Sequence, residues 1–396
     1  MQWKQATTIE GGLNIPARWV YVHYYEAFNL LFRIENALRI FVYIVLKNER
    51  REKWADAQVI ADDEEGTIDA LARKRRGQSQ TFGYLGHSIA CPIMHLNSGE
   101  LTRLIVSEAY WKLFKPYFLG SKDIIKSKLE EIGSIRNSLA HFRPIRSDDV
   151  DVIKQNSKHV LLGIEQFLNQ VLVQGDVIPT NTEHEWYLNL KTLVTYQCTF
   201  SFQQSSDERW VRIGIEYSCP VIKKISYWSE QATYTVLTIR SSAILTKYPE
   251  IAKDICYLSE LPSHPQMLTD GNAKFGKKLS FVLSRNMLES QHENIKKSLE
   301  DLLQAVSKET ELIQQDHLAR GQLVHSASAN ATFVKVKEGD KGRWQWYYQQ
   351  LKTLVVESDP PEYWGSLNFY GWEEFISATD KYPWMPESVS EEEVPF

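Results

Sequence analysis

Phe28-Asn-Leu-Leu-Phe-Arg-Ile-Glu-Asn-Ala-Leu-Arg-Ile-Phe-Val-Tyr-Ile-Val-Leu46 is the most apolar span of this 396-residue chain. Arg33, Glu35, Asn36 and Arg39 interrupt it, so it reads as a core helix and not as a membrane span. Asn14 and Pro16 supply a helix start upstream, because proline is accepted in a first turn where its missing N–H would be unbonded anyway. The helix is expected to run to about Lys53. Its apolar residues at 24, 28, 31, 32, 38, 41, 42, 45 and 46 cover more than one face. Such a helix is buried on two sides, as the centre of a bundle that also contacts a partner chain.

Downstream, residues 54–99 are less regular: an acidic run, Asp62-Asp63-Glu64-Glu65, a short helix, the basic run Arg73-Lys74-Arg75-Arg76, and a loop to about Gly99. Two helices follow. One spans Glu100–Leu119 and ends at Gly120; the next starts at Ser121 and Asp123, with apolar residues at 124, 125, 129, 132 and 135. Pro144 disfavours helical geometry at Arg143, which stops that helix near His141. Asp148–Val173 is the last helix. The expectation for residues 1–175 is an antiparallel bundle of four or five helices.

Residues 176–184, with Pro179 and several Asn and Thr, read as a linker. Beyond it the texture changes. Leu188–Phe202, Trp210–Tyr217, Val221–Trp228 and Thr233–Ile239 are rich in β-branched and aromatic residues between polar turns, so residues 185–396 are expected to form an α+β region with an antiparallel sheet. A helix-poor stretch through Pro262, Pro265 and Gly271 leads to a strand near Leu279–Leu283. A polar helix over Arg285–Ala319 carries a heptad-like seam, either packed on the sheet or paired as a coiled coil. Trp344, Trp346, Trp364 and Trp372 mark a Trp-rich end, suited to a small core or to base stacking.

Hydrophobic and charged fractions of 43% and 24% are those of a globular protein. The net charge of −5 gives no general argument for nucleic acid. It is uneven, however: residues 1–175 carry 23 Lys and Arg against 20 Asp and Glu, which makes them the better host for a local RNA site. The cysteines at 91, 198, 219 and 256 form no C-x-x-C pair and read as reduced thiols of a cytoplasmic protein. Cys91 and His95 lack a second ligand pair, so no metal and no cofactor are expected. The N-terminus lacks the pattern of a signal peptide.

The residues that carry chemistry are Arg136, Asn137 and His141, in the form R-N-x-x-x-H at the end of the helix from Ser121. The bare R-x-x-x-x-H spacing also occurs at Arg18–His23 and Arg320–His325. Only the Arg136 copy has Asn beside the Arg, an amphipathic helix before it and a Pro just after. This segment resembles the signature of the HEPN superfamily of metal-independent ribonucleases, in the branch found in phage defence and abortive infection. The resemblance covers residues 20–172, with Glu35-x-x-Leu38-Arg39 of the first helix adding support. It implies an endoribonuclease with an active site shared across a homodimer, cleaving tRNA or mRNA to a 2′,3′-cyclic phosphate and a 5′-hydroxyl. It also implies a toxin-like role, with a phage protein or an antitoxin as partner of the C-terminal region.

The residue chemistry fits such a reaction. An imidazole can take up or release a proton in a reaction, and Arg136 offers a permanent fork of donors to phosphate. Asn137, one turn before His141, can orient the imidazole. One histidine cannot be acid and base at the same moment, which is why a second copy is expected. Glu35 and Arg39 either orient the motif or form an i,i+4 pair. Arg73, Lys74, Arg75, Arg76, Arg143 and Arg146 are candidates for phosphate contact. Two other readings compete: an RNA- or nucleotide-binding module without catalysis, and an interaction protein acting through its Trp-rich end.

Overall fold

The computed structural model describes residues 7–9, 12–14, 25–60, 65–82, 91–141, 143, 145–172, 182–220, 223–228, 231–267, 273–316, 318, 320–334, 343–346, 351–353, 355–356 and 358–366. A helical N-terminal part precedes a mixed region with antiparallel sheets. A small hairpin, β1 (Thr7–Ile9) and β2 (Gly12–Asn14), comes first. The first helix, α1 (Tyr25–Arg50), runs into a 3-10 turn over Arg51–Asp56 and the hairpin β3 (Gln58–Ile60) and β4 (Glu65–Thr67). Then come α2 (Ile68–Phe82), α3 (Ser98–Ile105), α4 (Trp111–Phe114), α5 (Lys122–Ala140) and α6 (Ser147–Leu172).

The span read as α1's apolar stretch is buried almost throughout: Ile40 to Leu46 form an unbroken run of buried residues. Phe41 is the pivot, with the rings of Phe114, Tyr117 and Phe167 centred 5.5, 5.2 and 5.5 Å away. The second face of this half-helix is covered by the chain's own C-terminal region. The Tyr43 hydroxyl donates to the Cys256 carbonyl at 2.6 Å, and Lys47 Nζ donates to Glu362 Oε1 at 2.5 Å and the Ala252 carbonyl at 2.8 Å. Two-sided burial here is therefore intramolecular. What stays open on α1 is its first half, where Phe28 and Phe32 are 41% and 38% exposed.

Several local expectations need correction. The helix expected over residues 100–119 is broken into α3, α4 and a 3-10 turn at Lys115–Tyr117. Ser107 caps the break, donating to the Leu104 carbonyl at 2.9 Å, and Pro116 cannot supply a helical N–H. The basic run, expected to follow the short helix, is part of it: α2 extends through Arg73–Arg76 to Phe82. Residues 188–202 are not one strand: α7 (Glu185–Leu190) precedes β5 (Cys198–Gln204).

The strands from 198 onward also divide between two sheets. After β6 (Trp210–Pro220), β7 (Lys223–Trp228) and β8 (Gln231–Ile239) come α8 (Ser241–Lys247) and α9 (Pro249–Asp254), two helices in a stretch read as helix-poor. They are followed by β9 (Tyr257–Met267), β10 (Ala273–Ser284), α10 (Arg285–Asp316), β11 (Val324–Val334) and β12 (Arg343–Trp346). The sheet orders are β5-β6-β10-β9 and β12-β11-β8-β7, both antiparallel. The seam of α10 is buried from Leu288 to Ile313 in the core of these sheets, which is the packed alternative and not a free coiled coil. Trp364 stacks on Tyr257 at 4.4 Å and joins the same hydrophobic cluster as the helical part. Trp372 lies outside the described residues. No helix among them is long and apolar enough to cross a membrane.

Candidate active site

Helix α5 presents the motif because its apolar positions, Ile125, Leu129, Ile132 and Leu139, fix which side faces the core. The helix ends on schedule. His141 occupies the C-cap with φ −99° and ψ 18°, its N–H donating to the Asn137 carbonyl at 3.2 Å, and the Arg143 N–H reaches the Ser138 carbonyl at 2.8 Å. Residues five apart on an α-helix point about 140° away from each other. Arg136 and His141 therefore leave the helix on different sides.

Arg136 turns towards α1. Its Nε donates to Glu35 Oε2 at 3.2 Å and its Nη1 to Asn137 Oδ1 at 3.3 Å. A guanidinium has five N–H groups, so the rest have no partner among the described residues. Glu35 uses its other oxygen, Oε1, to accept from Arg39 one turn away. The two earlier alternatives for Glu35 and Arg39 are both realised, an i,i+4 pair and a brace on the motif. Arg39 itself is spent: it donates to the Leu96 carbonyl from Nε at 3.0 Å and Nη2 at 2.8 Å, and to Asn36 Oδ1 at 2.8 Å. Burial holds its pKa below the ordinary arginine value, opposed by Glu35 and reinforced by Arg136 and Arg75.

These groups line a cleft of about 220 Å³ between α1 and α5, rimmed by Phe28 and Phe32. A single carboxylate between two guanidinium groups leaves the cleft with surplus positive charge. Its open donors belong to Arg136, which suits it to an oxyanion. Glu35, engaged by both arginines, is not free to act as a base.

Asn137 and His141 belong to the other side of the helix. Asn137 lines a second groove of about 380 Å³, between α5 and α3, together with Ser98, Thr102, Arg103, Ser134, Ser138 and Arg143. The Asn137 side chain meets Arg136 and not the imidazole, contrary to the orienting role expected of it. The His141 ring is exposed and has no hydrogen-bond partner among the described residues.

The remaining candidates separate clearly. Arg75 is turned inward, gripping Glu100 through two bonds of 2.8 and 2.5 Å and the His95 carbonyl, so it is a structural residue. Asn97 and Glu100 complete a capping box at the start of α3. Arg73 pairs with Asp69 at 2.6 Å on the helix surface, Lys74 is exposed and Arg76 half-buried. Arg143 and Arg146 are both exposed, and Arg143 lines the groove between α5 and α3. Arg18–His23 lies outside the described residues. His325 sits in β11, its pKa pushed down to about 4, mainly by burial and then by Lys277, Arg240 and Arg320. Cys91 is buried and its thiol pushed up to about 12. Among the described residues no group of three His, Cys, Asp or Glu is placed to hold a metal ion.

Comparison with protein-family models, with curated proteins and with solved structures gives no match for this chain. The site is therefore defined by its geometry alone. Sequence reasoning missed Phe28, Phe32, Asn36 and the α3–α5 groove. The groove had a signal in the spacing of Gly133, Ser134, Asn137 and Ser138 on one helical face, but its other wall comes from α3, which lay inside a helix drawn too long.

Proposed function

We propose that this chain is a metal-independent endoribonuclease of the HEPN type that works as a homodimer. The observation that carries the reading is Arg136, braced by Glu35 at 3.2 Å and with donors that have no partner among the described residues, in a positively charged cleft. In the reaction the 2′-hydroxyl attacks the adjacent phosphorus while the bond to the 5′-oxygen breaks, giving a 2′,3′-cyclic phosphate and a 5′-hydroxyl. Arg136 stabilises charge on the non-bridging oxygens. His141 takes the proton from the 2′-hydroxyl or gives one to the 5′-oxygen, and a second copy's motif supplies the complementary role.

The divergence of Arg136 and His141 supports a composite site, since one helix end does not aim both at one pocket. The exposed Phe28 and Phe32 beside the cleft support α1 as part of the face on which the second copy sits. We assign tRNA or mRNA as substrate and antiphage defence as setting by resemblance alone, with the C-terminal region restraining or targeting the nuclease through a phage protein or antitoxin. The rival reading, binding without catalysis, is favoured by the lack of a hydrogen bond from any described residue to the His141 ring. Arg136→Ala and His141→Ala decide between them: each is expected to abolish RNA cleavage and growth arrest while preserving the circular dichroism spectrum. Full activity in either variant sinks the nuclease reading.

A further inference from the structure

We propose that the groove between α3 and α5 binds the ribose-phosphate backbone of single-stranded RNA next to the scissile linkage. The inference rests on the ribonuclease reading but on different residues from the Arg136 cleft. Its volume of about 380 Å³ falls within the usual range of ligand sites, roughly 300–1,000 Å³. Its direction is set by α5. Glu130, Ser134 and Asn137 recur at helical spacing, and the same stripe continues to His141, so the groove leads along about 16 Å of helix to the exposed imidazole.

The lining chemistry is specific. Arg103 and Arg143 bring cations to the two walls, suited to phosphate. Thr102 Oγ1 donates to the Ser98 carbonyl at 2.8 Å and Ser138 Oγ to the Ser134 carbonyl at 3.2 Å. With their protons committed to the backbone, these hydroxyl oxygens are left as acceptors. Asn137, whose Oδ1 accepts from Arg136, is left with its amide N–H groups as donors. A ligand that offers both hydroxyl protons and anionic oxygens matches this set. RNA does so through its 2′-hydroxyl and phosphate, whereas DNA lacks the former. Glu130, 3.9 Å from Lys126, marks the end remote from His141, where a phosphate is least welcome.

Gly133 gives a clean handle. A Cβ built there meets only Ser98 Oγ, at 4.0 Å, so a side chain can be added on this wall of the groove. The test uses the full chain carrying His141→Ala and a labelled single-stranded RNA, with DNA of the same sequence for comparison at fixed salt. Gly133→Met is expected to weaken RNA binding about tenfold and Gly133→Ala to leave it unchanged. Arg143→Ala, an exposed change that does not threaten the fold, is expected to weaken binding and to lower the salt slope by about one. RNA is expected to bind more tightly than DNA. If the parent cleaves RNA but Gly133→Met and Arg143→Ala bind as it does, the groove assignment falls and the nuclease reading stands. Equal affinity for DNA also overturns it. Groove-dependent RNA binding by a protein that never cleaves would keep the groove and end the nuclease reading.

Discussion

Replacing Glu35 by Ala removes the one carboxylate that both Arg39 and Arg136 lean on. Its side chain is 11% exposed and that of Arg39 14%, so the pair they form is largely shielded from water. Breaking such a pair from one side costs about 3–5 kcal/mol, because a guanidinium is left buried and uncompensated. Arg136 is 34% exposed, so its share is worth no more than a surface pair, about 0–1 kcal/mol. Arg39 keeps its bonds to Leu96 and Asn36, which places the total near the lower end, on the order of 3 kcal/mol. The melting temperature should fall by roughly 4 °C if the chain unfolds as one cooperative unit. Adding Arg39→Met should recover most of the loss, since the stranded charge is gone. Thermal and urea unfolding of the two single variants and the double variant measure this. A Glu35→Ala protein as stable as the parent within ~0.5 kcal/mol, or strict additivity in the double variant, would refute the stabilising role of the Glu35–Arg39 pair.

Three further predictions probe the rest of the fold. Lys47 is 2% exposed and joined to Glu362 and Ala252, so Lys47→Ala should cost about 3–5 kcal/mol and speed limited proteolysis between the helical part and the C-terminal region; unchanged digestion would contradict it. His325, with its pKa held down to about 4, is kept neutral in the fold, and the unfolded chain takes up the proton first as the pH falls. Its stabilising contribution is full above about pH 6.5 and is lost as pH drops towards 4, a slope that His325→Gln should flatten in urea midpoints taken across that range. Two glycines should respond oppositely. A Cβ at Gly163 collides with the Tyr117 carbonyl oxygen, so Gly163→Ala should destabilise by about 1–3 kcal/mol, whereas Gly133→Ala should gain up to about 1 kcal/mol from helix propensity.

The helical part was legible because its signals are local. The apolar run of α1, the Ser121 start of α5 and its stop near His141 follow from spacing and backbone rules, and the ends of α5 and α6 fall within a residue or two of those expected. The start expected at Asn14 and Pro16 does not hold at Asn14, which lies in β2, and the described helix α1 runs from Tyr25 to Arg50. Pairing across the chain was not legible. Nothing local to Arg75 says that Glu100 will draw it out of a basic run and into the interior. The division of β5–β8 between two sheets depends on β9, β10 and β11, which arrive up to a hundred residues later. Within the site, Glu35 was picked out as a charge in an apolar helix, but that it would serve two arginines at once needed the α1–α5 contact. The 140° divergence of Arg136 and His141 was present in the numbering all along. It follows from their being five apart on a helix, and it turns a motif into two half-sites.

The most direct measurement is the chemistry of the RNA ends. Purified protein incubated with end-labelled single-stranded RNA in excess EDTA should yield fragments bearing 2′,3′-cyclic phosphate and 5′-hydroxyl ends, and Arg136→Ala and His141→Ala should yield none. Intact RNA at all protein concentrations, 5′-phosphate ends, or cleavage that survives both substitutions would contradict the account.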